Sequence, residues 1–269
     1  MNSAQQDKLD QTQFEALHTL VNEVAARQLK DFGQINSELK ADGTLITSCD
    51  RWSDEHIVKG ISNITGNQEG VLSEEGSKLI PSTNSYWVVD PLDGTTNFAA
   101  GIPFWAISIA RFTDGQPETA LLDIPALKKR ILAIRGRGVW MNNKLINSQP
   151  IRTQSDCVSV CSRSISVLQK QPHERFPGKI RLLGVSSLNM TSVATGQTFG
   201  ALEATPKIWD IAAAWLILNE LGCSIKWLDL NPENIERGKD LTSVDFPLIA
   251  ANSKQNLDRL VPWGNILMN

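Results

Sequence analysis

Cysteine is scarce in this chain of 269 residues, and no charge of one sign dominates it. Cys49, Cys157, Cys161 and Cys223 are scattered, and Cys157-x-x-x-Cys161 lacks the paired spacing of a zinc site, so buried reduced thiols are expected. A net charge of −3 supplies no global pull toward nucleic acid or a membrane surface. No run of about eighteen apolar residues exists to span a bilayer. The opening residues Met1-Asn2-Ser3-Ala4-Gln5-Gln6 lack an apolar signal core, which makes the cytoplasm the expected location. Repeats and linkers are missing too. What remains is a chain with 41% apolar residues, enough to bury a substantial core as one large domain or two closely packed halves.

The most informative stretch that is present runs Asp90-Pro91-Leu92-Asp93-Gly94-Thr95-Thr96-Asn97-Phe98, directly after the apolar run Trp87-Val88-Val89. Pro91 cannot donate to a ladder, so a strand should end near Asp90 and turn. The turn returns Asp93 to the side of Asp90. Two such carboxylates repel unless a cation lies between them, and hard oxygen ligands suit Mg²⁺ or Mn²⁺ better than zinc. Gly94 lets backbone N–H groups approach an anion, and Thr95 and Thr96 add hydroxyls. A plain Asp-Gly turn between strands is the competing reading of these residues taken alone.

Three further segments add what a metal-dependent phosphatase needs. Leu72-Ser73-Glu74-Glu75-Gly76 and Lys40-Ala41-Asp42-Gly43-Thr44-Leu45-Ile46-Thr47 place acids upstream, and Trp209-Asp210-Ile211-Ala212-Ala213-Ala214 opens a helix with an acid in its first turn. In this order the four segments resemble the inositol monophosphatase family of Mg²⁺-dependent, lithium-sensitive phosphatases, over roughly Phe14 to Ala251. The resemblance implies a layered α-β-α-β-α sandwich of the sugar-phosphatase type. Within it, residues 1–150 would form an N-terminal α+β half bearing the metal-binding strand and loop. Residues 151–269 would form a C-terminal α/β half completing the active site.

The resemblance also implies roles for residues. Glu74, Asp90 and the Leu92 carbonyl would hold one metal, and Asp90, Asp93 and Asp210 a second, with two or three Mg²⁺ in all and Mn²⁺ as a substitute. Glu75 is the alternative to Glu74. Water would be the nucleophile, polarised by Thr95 with an upstream partner, for which Asp42 is the candidate and Thr44 the alternative position. Gly94 and Thr95 would meet the phosphate, Ser186 and Glu203 the substrate's alcohol half, and Lys207 a second anionic group; apart from the resemblance, Arg163 and Arg181 are further basic candidates. Inositol 1-phosphate is the expected substrate. Histidinol phosphate, fructose 1,6-bisphosphate and 3′-phosphoadenosine 5′-phosphate are same-superfamily alternatives, and a regulatory protein-binding role is the alternative of another class. A homodimer and inhibition by Li⁺ are further family expectations, with no nucleic-acid or membrane partner.

Periodicity outlines the elements. Phe14, Leu17, Leu20, Val21 and Val24 predict a first helix over about Gln11 to Lys30, and Ser53-Asp54-Glu55 a cap for a second. Short runs at Tyr86 to Asp90, Trp105 to Phe112, Thr119 to Ile124 and Arg130 to Ile134 read as a mostly antiparallel sheet. Beyond Pro150, Cys157 to Ser162, Lys179 to Leu183, Ile225 to Trp227 and Pro247 to Ala251 read as strands. Ser187 to Thr195 and Ile208 to Leu221 read as helices, the second closed by Gly222.

Overall fold

The computed structural model describes residues 9–41, 43–146, 156–170 and 173–268. Helix α1 (Gln11–Asp31) opens under Asp10, whose carboxylate accepts the Gln13 N–H while the Gln13 amide oxygen accepts the Asp10 N–H. A short antiparallel pair, β1 (Ser37–Leu39) and β2 (Leu45–Thr47), leads into α2 (Ser48–Thr65). Thr47, not Ser53, caps α2: its hydroxyl accepts the N–H groups of Cys49 and Asp50. Ser53 and Asp54 are buried inside the helix, where Asp54 accepts the Ser73 hydroxyl at 2.6 Å.

The chain then builds a seven-stranded sheet from β3 (Gly70–Ser73), β4 (Ser85–Asp93), β5 (Ala106–Thr113), β6 (Gln116–Ile124), β7 (Lys129–Ile134), β8 (Gly138–Met141) and β9 (Lys144–Ile146), paired in chain order. Only β3 and β4 run parallel. The single turn of helix α3 (Thr95–Ala99) follows β4. A five-stranded sheet comprises β10 (Cys157–Val160), β11 (Lys179–Arg181), β12 (Gly200–Glu203), β13 (Ser224–Trp227) and β14 (Leu248–Ala251), in the order β11-β10-β12-β14-β13. Helices α4 (Ile165–Lys170), α5 (Ser186–Ala194), α6 (Ile208–Glu220) and α7 (Lys254–Leu267) complete the fold.

Side-chain alternation along β4 explains the layering. Trp87 and Val89 face α1 and α2, packing with Leu17, Val21, Ile57 and Ile61. Val88 faces the other way, into a core shared with α5, α6 and the inner face of the five-stranded sheet. The outer face of that sheet, with Val158, Leu202 and Ile249, is covered by Leu257, Leu260 and Trp263 of α7. The result is the expected α-β-α-β-α sandwich. Helix α6 lies between two sheets, so Ile211 through Leu218 are all buried and its sequence shows no polar face. Each large aliphatic side chain in that layer contributes roughly 1.5–3 kcal/mol by leaving water. Helix α7 was not anticipated, because Pro262 interrupts its pattern from within. No helix among the described residues is long and apolar enough to cross a membrane.

For the site, the decisive feature is the end of β4. Its ladder to β5 pairs Asp90 with Ser108 and then Asp93 with Ala106, so Pro91 and Leu92 together oppose Ile107 alone. This is a bulge at the residue that has no N–H to give.

Candidate active site

The bulge brings the two aspartates of β4 together, and α6 supplies a third. Oxygens of Asp90, Asp93 and Asp210 all lie within 4.8 Å of one another. Asp210 reaches this point from the first turn of α6, where its carboxylate also accepts the Lys207 N–H at 2.7 Å. Asp93 is fixed from the opposite side, accepting the Ser187 N–H at 2.8 Å at the start of α5. Glu74 follows β3 and donates its N–H to the Val89 carbonyl at 3.1 Å, so it stands beside the same strand end. Glu74, rather than Glu75, lines the cleft of about 180 Å³ formed with Asp90, Leu92, Asp93, Thr95 and Asp210. Lys40 holds both glutamates, its ammonium lying 2.9 Å from Glu74 and 2.5 Å from Glu75.

Electrostatics give the cluster its chemistry. Burial pushes Asp90 well above the ordinary carboxylate range, and the charges of Glu74, Asp93 and Asp210 push it further. Asp210 is raised well above that range too, by burial and then by Asp93 and Glu74. Asp93 is raised to about 6 by burial, with the Ser187 bonds opposing. Glu74 is raised by burial against the partial relief of Lys40. Four acids that resist ionising side by side, all offering hard oxygens, fit a divalent cation of the Mg²⁺ type.

Thr95, at the start of α3, donates its hydroxyl to Asp50 at 2.7 Å and lies 3.3 Å from the Leu92 carbonyl. Asp50 is held in turn by Thr47, whose N–H and hydroxyl reach its other oxygen at 2.8 and 2.5 Å. Asp42, the expected partner of Thr95, lies outside the described residues; the carboxylate that the fold places on Thr95 is Asp50. Thr44 lines the cleft.

A second cavity of about 180 Å³ is lined by residues that include Ser186, Asn189, Glu203, Arg163 and Thr205. Glu203, buried at the end of β12, accepts the Ser186 hydroxyl at 3.0 Å and the Asn189 amide at 2.6 Å; burial nevertheless lifts it to about 8. Gly94, in the lining of the first cavity, abuts Val185, in the lining of the second. Its φ is 104°, and a Cβ there would fall 2.7 Å from Val185 and 3.1 Å from the Phe104 carbonyl. Asn97 braces the junction, donating to the Phe104 and Leu183 carbonyls at 2.9 and 2.8 Å. Lys207 is directed away, to Asp245 at 2.8 Å and the Thr242 carbonyl at 3.1 Å.

Residues 5–262 match the model of the inositol monophosphatase family. The chain belongs to that family. It is therefore a phosphatase, a hydrolase of phosphoric monoesters. An inositol-1-monophosphatase of Mesorhizobium japonicum is 29% identical over 228 residues, covering 80% of this chain and 85% of that protein. A histidinol-phosphatase of Mycobacterium tuberculosis is 32% identical, covering 74% of this chain and 80% of its own. Among solved structures, an IMPase/NADP phosphatase complexed with Mg²⁺ and phosphate shares the fold, with a TM-score of 0.76 at 24% identity over 93% of this chain and 95% of that one.

Asp50, the carboxylate that accepts the Thr95 hydroxyl, was not singled out in the sequence. Its signal was Thr47-x-x-Asp50, a capping pair that also reads as ordinary helix initiation. The raised acid at Asp93 yields a test of the site's electrostatics. Because its folded pKa of about 6 exceeds that of an unfolded aspartate, the folded state holds extra protons between about pH 4 and 6, and stability falls as pH rises through that window. Asp93→Asn removes this penalty. In EDTA the variant should melt above wild type at about pH 7.5, and the gap should narrow toward pH 5. A gap that widens on acidification would contradict the assignment.

Proposed function

We propose that this family member is a Mg²⁺-dependent phosphatase of small polyol phosphates, with inositol 1-phosphate as the substrate its site suits best. The observation that carries the reading is the contact between the two linings: Gly94 of the acidic cleft abuts Val185 of a pocket that also contains Glu203, and Asp93 of the cleft accepts the N–H of Ser187, next to Ser186 of that pocket. Glu74, Asp90 and the Leu92 carbonyl would hold one ion, and Asp90, Asp93 and Asp210 a second, with Asp90 shared. Ions bound there neutralise the phosphate, acidify a water and stabilise the leaving alkoxide.

The protein's own groups orient that water. Because the Thr95 hydroxyl donates its hydrogen to Asp50, its oxygen presents lone pairs and accepts a hydrogen from the water. As the water oxygen attacks phosphorus and the ester P–O bond breaks, the water proton passes to Thr95 Oγ1 while the threonine proton moves to Asp50 Oδ1; the departing alkoxide takes a proton from solvent, to which Asp50 later returns its own. Thr47 keeps Asp50 pointed at Thr95 throughout. The N–H groups around Gly94 and Thr95 face the phosphate oxygens. In the second pocket, Glu203 meets polyol hydroxyls with the oxygen lone pairs left beside Ser186 and Asn189.

An ester with a second anionic group is the other reading, favoured by one residue. Arg163 lines the same pocket, its guanidinium donating to the Thr205 hydroxyl at 2.5 Å. Fructose 1,6-bisphosphate has such a group; inositol 1-phosphate does not.

Phosphate release from inositol 1-phosphate, histidinol phosphate, fructose 1,6-bisphosphate and 3′-phosphoadenosine 5′-phosphate, with and without Mg²⁺, separates these readings. The highest Mg²⁺-dependent kcat/KM is expected for inositol 1-phosphate. A clear preference for the bisphosphate would transfer the substrate to the Arg163 reading, and no Mg²⁺-dependent release from any ester would overturn the proposed metal-dependent activity. Asp50→Asn should lower kcat on the preferred ester by about a hundredfold or more. Near-wild-type turnover in that variant would remove Asp50 from the proton path.

A further inference from the structure

Gln28 is a fully buried amide on the apolar face of α1, one turn beyond Val24 on the stripe formed by Leu17, Leu20, Val21 and Val24. A hydrophobic residue is expected at such a position. Instead the amide is fully engaged: Nε2 donates to the Pro91 carbonyl at 2.8 Å and to the Ser53 hydroxyl at 3.2 Å, and Oε1 accepts the Trp105 indole N–H at 3.1 Å. Pro91 stands in the bulge of β4, where its carbonyl has left the ladder. Gln28 therefore satisfies a buried acceptor that the bulge has orphaned.

The same peptide unit continues into the site. In a trans peptide the carbonyl of Pro91 and the N–H of Leu92 share one plane and point in opposite directions. Gln28 holds the carbonyl end, and the N–H end donates to Asp90 Oδ1 at 2.9 Å. The rotation of one plane thus sets how the Asp90 carboxylate is presented to the cleft.

We infer that Gln28 is a positioning residue for the metal cleft, acting on Asp90 through the Pro91–Leu92 peptide plane. This rests on the reading of Asp90 as a metal ligand. Ser53 supplies an internal control, since it bonds the same amide without touching that plane.

The test is Mn²⁺ binding by the substrate-free protein, read as loss of the free-ion electron paramagnetic resonance signal. Gln28→Met, which keeps the size and removes the donor, should weaken Mn²⁺ binding about tenfold or more, as loss of a ligand-orienting partner does. Ser53→Ala should leave the Mn²⁺ affinity within about twofold, because the bond to Pro91 persists. Should Gln28→Met fail to fold, Gln28→Asn, too short to reach Pro91, carries the same expectation. A folded Gln28 variant with wild-type Mn²⁺ affinity and only a lowered Tm would overturn the positioning role. Failure of the wild-type protein to bind Mn²⁺ would instead overturn the metal site, and the proposal with it.

Discussion

Mutual repulsion among buried and half-buried carboxylates is the constraint on which the rest of this molecule depends. Oxygens within 4.8 Å of one another repel by on the order of 3 kcal/mol per charged pair at an effective dielectric of about 20. Three such pairs, with Glu74 beside them, amount to a substantial share of the roughly 5–15 kcal/mol by which a folded domain is stable. Protons or cations must relieve that repulsion. The raised Asp90, Asp93 and Asp210 show the first route, and their all-oxygen character favours a hard divalent ion for the second.

The layered fold makes such a cluster sustainable. Each acid is tied to an element whose other face is anchored in apolar core. Strand β4 is buried along its whole length, and α6 is clasped between two sheets. Asp93 and Asp210 each borrow a backbone N–H near a helix start, from Ser187 and Lys207. Lys40 partly balances the glutamates. The bulge at Pro91 is the irregularity in β4 that brings Asp90 and Asp93 together, and behind it Leu92, Phe98 and Trp105 form their own small cluster. Position in the site and packing in the core are therefore set by the same few residues.

Much of this was legible in the sequence, for identifiable reasons. The Asp90 to Phe98 segment could be read in part: the apolar run marks a strand and Gly94 its exit, but Pro91 does not end the strand at Asp90 as expected, because a bulge absorbs it and β4 runs on to Asp93. Helix α1 was legible from its period. Asp50 was not, because Thr47-x-x-Asp50 is a sufficient helix cap whether or not the second oxygen of Asp50 has another task. Ser53 and Asp54 looked like that cap, yet they are interior polar residues whose partners, Gln28 and Ser73, are distant in the chain. Asn189 and Gln28 were hidden for the same reason: a buried amide is recognisable only when the group it serves is known. Helix α7 was obscured by Pro262, which local rules treat as a breaker.

The most direct test of the central claim is anomalous scattering from crystals grown with Mn²⁺ in place of Mg²⁺. The account predicts Mn²⁺ peaks within coordinating distance of Asp90, one bordered by Glu74 and the Leu92 carbonyl and another by Asp93 and Asp210. Crystals that bind Mn²⁺ only elsewhere, with these four carboxylates facing solvent water alone, would contradict it.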